Sequence, residues 1–337
     1  MRVGSLVFAT EQGIGILAKA FHEHGVITDV VTVAHGRRPE HLDWYAGSMH
    51  ITSFRDRRQR QDLFDWAAQL DVLLAIETPF EWSLFPHCRE HGVKTVLFVN
   101  HECMPRELPY QPDLFLCPSP LDRQYFPDRS VYLPVPVDTK KVPWRLRERA
   151  REFVHNAGHG GLKGRNGTAE LVEALPLIKN PAVIVINTQD PLPRSTEARI
   201  ARLSSEVDVH LFTGTMPYEK LWAEGDAFVF PHRFDGLSLP LQEARASGML
   251  VLGVDRFPDY CYLPRAPLIP TVGSVKSSVH PSCLSFDEAV IEPKDIAAKI
   301  DEWYDRDITE LSLSGRQWAE EHAWEKWKDK YLEVLAP

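Results

Sequence analysis

Short apolar runs alternate with longer amphipathic stretches along the whole chain. Apolar runs bounded by glycine, proline or polar residues are typical of buried strands, and the stretches between them are typical of helices. The predicted strands lie at residues 4–8, 27–33, 72–76, 95–99, 114–117 and 131–133, and again at 153–157, 182–187, 209–212, 227–230 and 250–254. Strands that alternate with helices pair in parallel through right-handed crossovers, so the pattern predicts an α/β fold.

A proline-rich segment divides this series in two. Residues 133–138 read LPVPVD, and the charged stretch 145–151 follows them. Such a change in composition is typical of a domain boundary. We therefore expect one domain over residues 1–139 and a second over 140–317. The tail, residues 318–337, is amphipathic with aromatic side chains at helical spacing, which predicts a packed helix.

Composition and charge narrow the class of protein. A chain of 337 residues can build two ordinary domains, and its net charge of −9 gives no general attraction to nucleic acid or anionic lipid. The five cysteines are scattered and have no C-x-x-C spacing, so we expect reduced thiols and a cytoplasmic protein. No apolar run is long enough to span a membrane, and the N-terminus reads as a strand and not as a signal peptide.

The stretch from residue 230 to 248 carries the most chemistry. An apolar strand ends at Pro231, and a helix is predicted from Leu239 or Pro240 because proline suits the first helical turn. The free N–H groups at that helix start favour a phosphate or another anion over the preceding turn. The residues expected to form this anion site are Gly236, Leu237, Ser238 and Leu239.

Two acids flank the predicted anion site. Asp235 precedes the turn, and Glu243 lies one turn into the helix. Carboxylates do not bind an anion, but they accept hydrogen bonds from neutral hydroxyls. A nucleoside diphosphate joined to a sugar offers both phosphates and hydroxyls, so we expect a nucleotide-sugar site here.

A second loop offers positive charge. Residues 154–168 join a strand to a helix through a glycine-rich segment that contains Gly161, Lys163 and Arg165. Glycines let the backbone approach a phosphate closely, and lysine supplies a compact cation. We therefore expect this loop to contact the same anion as the turn at residues 236–239.

Three further places carry weaker signals. Gly13 and Gly15 open the first predicted helix after a strand, where a glycine-rich turn either contacts a ligand or simply reverses the chain. Thr213 and Gly214 end a later strand, and we expect the nucleotide base to be selected by this loop. The D-x-D sequence at 305–307 follows a helical segment and not a strand, so we expect no metal site.

The segment DGLSLPLQEA at residues 235–244 resembles the E-x7-E signature of retaining GT-B glycosyltransferases, usually written E-G-F-G-L-P-x-L-E-A. Asp235 replaces the first Glu of that signature, and Leu237-Ser238 replaces Phe-Gly. The resemblance reaches both halves of the chain. Further segments similar to the family are LPVPVD at 133–138, its crossing segment, VHLFTG at 209–214, its F-x-G strand, and YEKLWAEGDA at 218–227, its Y-x-x-A-D helix.

The resemblance implies the GT-B fold, in which two Rossmann-like domains with parallel sheets face a central cleft. It implies that the C-terminal helix over 318–337 crosses back to the N-terminal domain, which would hold the acceptor. It also implies a retaining, metal-independent glycosyltransferase that takes its sugar from a UDP- or GDP-linked donor and needs no cofactor.

The resemblance assigns the donor diphosphate to the glycine-rich loop. Lys163-Gly164 is similar to the end of the family's G-R-x4-K-G loop, in which Arg and Lys neutralise the two phosphates. The Arg position of that loop holds His159 here. Either Arg165 or Arg233 is therefore expected to supply the second positive charge.

Three residues are expected to hold the sugars. By the same resemblance, Glu243 accepts hydrogen bonds from the ribose hydroxyls and Asp235 accepts them from the transferred sugar. The segment VNHE at 99–102 resembles the strand end where the family places a histidine beside the sugar and the acceptor. His101 is therefore the candidate contact in the N-terminal domain.

The sequence allows more than one acceptor and more than one class of function. The run FRDRRQR at 54–60 places arginines in the acceptor-side domain, where they could meet the phosphates of DNA or of a lipid headgroup. A small-molecule acceptor is the third option. The narrower alternative is a glycosyltransferase that acts on modified bases of DNA. From other classes, a non-catalytic sugar-nucleotide-binding protein with a degenerate site, or a nucleotide-sugar epimerase, would use the same residues.

Overall fold

The computed structural model describes residues 1–11, 13–36, 39–77, 79–158, 164–203, 206–263 and 267–337. The chain divides into two compact units. Unit 1 comprises Met1–Val135, Ser278–Leu284 and Trp324–Pro337, and unit 2 comprises Pro136–Ser277 and Ser285–Ala323. The first change of unit therefore falls after Val135, within the proline-rich segment.

Fourteen strands occur in the described residues. They are β1 Val3–Val7, β2 Asp29–Val33, β3 Met49–Ile51, β4 Val72–Glu77, β5 Lys94–Val99, β6 Leu114–Cys117, β7 Ser130–Tyr132, β8 Glu152–Gly158, β9 Val183–Thr188, β10 Asp208–Thr213, β11 Ala227–Val229, β12 Leu250–Leu252, β13 Gly273–Ser277 and β14 Phe286–Val290.

Twelve α-helices lie between and after these strands in the same described part of the chain. They are α1 Gly13–Glu23, α2 Arg57–Ala67, α3 Leu84–Glu90, α4 Pro120–Tyr125, α5 Thr168–Ala174, α6 Arg194–Ile200, α7 Tyr218–Leu221, α8 Leu239–Ala246, α9 Asp259–Tyr262, α10 Pro293–Trp303, α11 Thr309–Glu321 and α12 Trp324–Leu335.

Both units contain a parallel sheet with the same order of strands at its centre. Unit 1 has seven strands in the order β3-β2-β1-β4-β5-β6-β7, and unit 2 has five in the order β10-β9-β8-β11-β12. Every pair of neighbours in these two sheets is parallel. The predicted α/β class with two parallel sheets is therefore confirmed.

The strands predicted from apolar runs are also confirmed, each within a few residues of its expected bounds. Three strands were not predicted. β3 is a three-residue edge strand that is only partly buried, and β13 and β14 form an antiparallel hairpin whose first strand is almost wholly exposed. Exposed or very short strands carry no continuous apolar run, so the pattern that reveals central strands does not reveal these.

The core of unit 1 combines the central strands with the C-terminal helix. All five residues of β1 are buried, as are the first five of β4, because these strands are covered on both faces. Phe21 of α1 lies edge-on to Trp324 and Tyr331 of α12, with ring centroids 5.2 and 5.1 Å away. The Tyr331 hydroxyl donates to the carbonyl of Pro134 at 2.9 Å. The aromatic residues at helical spacing in α12 are therefore packing residues of unit 1.

The core of unit 2 contains one buried imidazole. His155 of β8 is fully buried, its Nδ1–H donates to the Val229 carbonyl at 2.9 Å, and its Nε2 accepts from the Thr168 hydroxyl at 2.8 Å. The ring thereby ties β8 to the end of β11 and to the start of α5. Burial lowers the pKa of His155 to about 4, so the ring stays neutral in the folded protein.

We expect His155 to make the fold sensitive to acid. The unfolded chain takes up the proton near pH 6.5 and the folded chain only near pH 4, so this contribution to stability is lost as pH falls between those values. A shift of this size corresponds to roughly 3 kcal/mol. The free energy of unfolding, measured with urea at pH 4 to 7, should fall with decreasing pH in the wild type, and it should fall less steeply in His155→Gln. Parallel pH profiles for the variant and the wild type would contradict the expectation.

No helix among the described residues is both long and apolar enough to cross a membrane.

Candidate functional site

The candidate site of unit 2 lies where the strand order of its sheet reverses. The first strand of this sheet, β8, neighbours the fourth, β11, and the connections on either side run in opposite directions. In open parallel sheets, ligands bind at the carboxyl ends of the strands at this position. Residues 230–238 follow β11, and residues 164–167, which precede α5, lie against them at this edge of the sheet.

Direct contacts hold these two segments together. The backbone N–H of Arg233 donates to the carbonyl of Arg165 at 2.7 Å. Gly167, with φ 74°, lies so close to the segment after β11 that an added Cβ would be 2.0 Å from the carbonyl oxygen of Pro231. Only glycine fits this position, because a side chain would push the two segments apart. His159, Gly161 and Lys163 lie outside the described residues.

The turn from Asp235 to Ser238 is organised by the aspartate itself. Its Oδ1 accepts from the N–H of Leu237 at 3.1 Å. Burial alone would raise the pKa of Asp235, but the charge of Arg165 and the N–H of Ser238, among other groups, hold that pKa below its ordinary value. The carboxylate is therefore ionised at neutral pH. In this structure it uses backbone donors of the predicted anion site.

The helix after this turn starts where the sequence predicts. α8 begins at Leu239 with Pro240 in its first turn, and Gly236 lies buried in the turn before it. Ser238 precedes the helix in the left-handed conformation, with φ 50°. A residue other than glycine pays about 1 to 2 kcal/mol for this conformation, so surrounding contacts must hold it in place.

A buried polar network supplies those contacts. The Ser238 hydroxyl lies 3.0 Å from Nε2 of His232, and the Arg256 guanidinium lies 2.7 Å from the same nitrogen. His232 and Asp259 are both fully buried, with Nε2 of the histidine 3.0 Å from Oδ2 of the aspartate. Arg256 also donates to the carbonyl of Asp235 at 2.9 Å. His232 and Arg256 therefore hold both ends of the turn from Asp235 to Ser238.

Glu243 lies on α8, mostly buried beside Tyr218 of α7. Burial raises the pKa of Glu243 to about 7, and the hydrogen bond with the Tyr218 hydroxyl opposes that rise in part. The same burial raises the pKa of Tyr218, so the phenol keeps its proton and can donate. A carboxyl group poised near neutrality can accept hydrogen bonds from a diol when it is ionised.

The two candidate arginines have different partners. Arg233 is held by two acids, with Nε 3.1 Å from Glu288 Oε1 and Nη1 3.4 Å from Glu170 Oε1. Arg165 lies over the ring of Phe234, with Cζ 5.9 Å from the ring centroid, and its charge lowers the pKa of Asp235. Of the two, Arg165 is the one whose charge acts on the predicted sugar-binding acid.

Thr213 and Gly214 lie at the carboxyl end of β10, the edge strand of the same sheet. Thr213 is exposed, and the N–H of Gly214 donates to the carbonyl of Thr188 at 2.9 Å. The loop therefore lies at the carboxyl edge of the sheet, two strands away from β8.

The remaining predicted residues belong to unit 1. Gly13 and Gly15 open α1, and a Cβ on Gly15 would lie 2.1 Å from the carbonyl oxygen of Thr10. Gly15 is therefore required for the close approach of the helix to its own preceding loop, whereas Gly13 has open space around it.

His101 lies at the carboxyl end of β5 and is fully buried. Its backbone N–H donates to Oδ1 of the buried Asp122 at 3.0 Å, and its ring lies 3.9 Å from the ring of Tyr125. Burial raises the pKa of Asp122 to about 7, and the nearby Glu102 adds to the rise. The first turn of α4, which contains Asp122, therefore holds His101 in place.

Sequence reasoning missed four residues around the predicted donor site: Tyr218, His232, Arg256 and Asp259. Tyr218 and His232 lie inside segments that were already singled out, but their partners come from other segments. Arg256 precedes α9 and Asp259 is its first residue, and neither belongs to a recognisable motif. No signal in the sequence identifies them, because their role depends on packing.

The structure resembles solved glycosyltransferases, although no protein-family model and no curated protein matches the chain. HepE from Anabaena, solved with UDP, is 10% identical with a TM-score of 0.71 and covers 99% of each chain. A glycosyltransferase from Rickettsia africae is 12% identical with a TM-score of 0.67, covering 99% of this chain and 98% of that one. The lipopolysaccharide outer core galactosyltransferase WaaB is 13% identical with a TM-score of 0.66, covering 99% of this chain and 100% of that one.

Proposed function

We propose that this protein is a glycosyltransferase that moves a sugar from a nucleoside-diphosphate sugar to an acceptor. The chain has the GT-B fold, with two α/β units whose parallel sheets are like those of the solved glycosyltransferases. The observation that carries the proposal is the placement of Asp235 and Glu243 on either side of the start of α8, at the point where the sheet order reverses.

The donor would be held by complementary groups. Glu243 accepts from the ribose hydroxyls, and Asp235, aided by the charge of Arg165, orients the transferred sugar. The start of α8, Lys163 and Arg165 would stabilise the negative charge that develops on the departing diphosphate. The resemblance of residues 235–244 to the E-x7-E signature supports retention of anomeric configuration. With cationic side chains at the phosphates, transfer would need no metal.

A uridine nucleotide is the first donor to test. HepE was solved with UDP, with UDP and glucose, and with UDP-glucose. We carry this over as a proposal that the present chain binds a UDP-linked sugar, with a GDP-linked sugar as the alternative. The free thiols of all five cysteines fit a protein of the reducing cytoplasm.

Thermal unfolding with UDP, GDP, ADP and their sugars should identify the donor. A nucleotide present at 100 times its Kd adds about 2.7 kcal/mol to the stability, so one base should raise Tm clearly above the others. The active donor should also be hydrolysed slowly without acceptor, and as fast with EDTA as without it. If no nucleotide raises Tm, the donor site is wrong. A rate that EDTA abolishes would refute metal independence alone, and inversion in the transfer product would refute retention alone.

Exposed arginines at the start of α2 support the alternative that the acceptor is DNA. Arg57 and Arg58, in the first turn of α2, are exposed, whereas Arg60 pairs with Glu81 at 3.4 Å and donates to Ser83 at 3.0 Å. Together with the exposed Arg55 these arginines can contact phosphates of DNA, but they form a small patch on a chain of net charge −9. Charge reversal of Arg57 and Arg58 should then abolish transfer to DNA while sparing donor hydrolysis, and unchanged transfer to DNA would exclude this role for the arginines.

A further inference from the structure

We infer that Cys103 and Cys283 form a reversible disulfide when the protein meets a low-molecular-weight disulfide such as oxidised glutathione. Both residues belong to unit 1, Cys283 within the segment Ser278–Leu284 and Cys103 in the short turn that follows β5. This modification would not depend on the proposed glycosyl transfer. The contacts between the two segments, their exposure and the contrast with the other cysteines support it.

Backbone hydrogen bonds hold the segment around Cys283 against the chain that follows β5. The N–H of Leu284 donates to the Met104 carbonyl, and the N–H of Arg106 donates to the Ser282 carbonyl, each at 2.8 Å. The Arg106 guanidinium also donates to the Cys283 carbonyl, with its Nε 3.0 Å from that oxygen. The backbone of Cys283 is therefore held on both sides.

The same pairing brings the two cysteines together. Pro105 lies opposite Cys283 in an antiparallel bridge, and Cys103 lies two positions before Pro105. The Cα atoms of such diagonal neighbours lie about 7 to 8 Å apart, and disulfides join Cα atoms that are about 4.4 to 6.8 Å apart. The Cys283 sulfur lies 3.9 Å from the Cys103 carbonyl oxygen. A backbone shift of about 1 Å therefore brings the two residues into the range of a disulfide.

A small oxidant can reach this pair. Cys103 and Cys283 are each partly exposed, and residues 279–282, directly before Cys283, are exposed. Disulfide exchange requires a thiolate to attack a disulfide sulfur, so the reaction favours cysteines that solvent reaches. Exposed disulfides are also the ones that thiols reduce readily, which makes the link reversible.

The other three cysteines differ from this pair. Cys88 and Cys117 are fully buried, and burial raises the pKa of each thiol to about 12, so neither forms a thiolate near neutral pH. Cys261 is exposed on α9 and belongs to unit 2. It is therefore the control for an exposed cysteine in a different unit from Cys103 and Cys283.

The oxidation consists of two successive thiol–disulfide exchanges. The Cys283 thiolate attacks one sulfur of oxidised glutathione, which forms a mixed disulfide and releases one glutathione thiolate. The Cys103 thiolate then attacks the Cys283 sulfur and releases the second. The two protons of the cysteine thiols pass to the departing glutathiones. One oxidised glutathione is thereby reduced by two electrons to two glutathione thiols, and the cysteine pair is oxidised to one disulfide.

The disulfide should stabilise the fold measurably. Cys103 and Cys283 are 180 positions apart in the sequence, so the bond closes a long loop of the unfolded chain. Closing such a loop restricts the unfolded state, and we expect oxidation to raise Tm by about 5 °C or more. The bond would also fasten the segment between β13 and β14 to the turn that begins with His101.

The test is oxidation of the full chain with oxidised glutathione, followed by peptide mapping without reductant and by thermal unfolding. We expect a peptide pair linked through Cys103 and Cys283, together with the rise in Tm, and dithiothreitol should reverse both. Cys103→Ser and Cys283→Ser should each abolish the linked peptide and the rise in Tm. Cys261→Ser, the matched control, should keep both. Tm of each reduced variant shows whether the substitution itself changes the fold.

Three outcomes would overturn the inference. The first is that no peptide linked through Cys103 and Cys283 forms in the wild type. The second is that oxidation ends at a mixed disulfide between glutathione and either cysteine, which would show that the two sulfurs do not reach each other. The third is that oxidation raises Tm equally in Cys103→Ser or Cys283→Ser. Peptide mapping of the wild type decides the first two without any variant.

Discussion

Replacing Glu243 by alanine is expected to lower kcat/KM for sugar transfer about 100-fold and to weaken nucleotide binding by a similar factor. The variant would lack two charge-assisted hydrogen bonds between this carboxylate and the ribose hydroxyls, each of about 1.5 kcal/mol or more. Since a factor of ten corresponds to about 1.4 kcal/mol, the loss of both bonds amounts to about 100-fold. Steady-state kinetics with the identified donor, together with nucleotide titration, measure both quantities.

A control and a conservative variant separate this role from packing. Glu219→Ala removes an exposed acid from the first turn of α7, next to Tyr218, and should leave transfer unchanged. Glu243→Gln keeps the shape of the side chain and should retain the fold while losing most of the affinity. Undiminished transfer in Glu243→Ala would show that this acid does not hold the donor.

The pH dependence of nucleotide binding gives a second readout. Because burial raises the pKa of Glu243 to about 7, the ionised form that accepts hydrogen bonds is lost below neutrality. Affinity in the wild type should therefore fall as pH drops below 7, and Glu243→Gln should lack that fall. Stability changes in the opposite sense. The folded pKa lies above the unfolded value of 4.5, so this group's contribution declines as pH rises from 4.5 to 7.

Replacing Arg147 by methionine is expected to destabilise unit 2 by about 3 to 5 kcal/mol. Arg147 is buried, and its guanidinium donates to backbone carbonyls: Gly225 at 2.7 Å, Trp222 at 2.9 Å, Arg145 at 3.2 Å, and Ser247. Burial lowers the pKa of Arg147 to about 10, which leaves the group charged at neutral pH. Methionine fills much of the volume but leaves these acceptors without donors in a dry environment.

Urea unfolding measures this loss, with Arg149→Met as the matched control. Arg149 is two residues away and exposed, and it pairs with Asp305 at 3.5 Å, so its loss should cost less than about 1 kcal/mol. Arg147→Lys should also be strongly destabilised, because a single ammonium cannot reach acceptors spread over three chain segments. Equal stability of the two methionine variants would show that the carbonyls find other partners.

The sequence alone determined the central strands, the parallel α/β class and the start of α8. Strands covered on both faces need a continuous apolar run, and a helix start needs only a local arrangement of proline and polar residues, so both are visible in neighbouring residues. The spacing of Asp235 and Glu243 across that start is local in the same way. Their placement on one strand–turn–helix unit therefore needed no knowledge of the rest of the chain.

Only the tertiary structure decided which groups surround those two acids. Arg233 is paired by Glu170 and Glu288, while Arg165 acts on Asp235, and no local pattern separates the two arginines. His232, Arg256 and Asp259 form one network because the segments that follow the neighbouring strands β11 and β12 lie together, although His232 and Arg256 are 24 positions apart in the sequence. Side-chain pairing depends on which segments, distant in the sequence, pack against each other in the folded protein. The pattern of residues within one segment does not contain that information. Local chemistry was therefore predictable, and its partners were not.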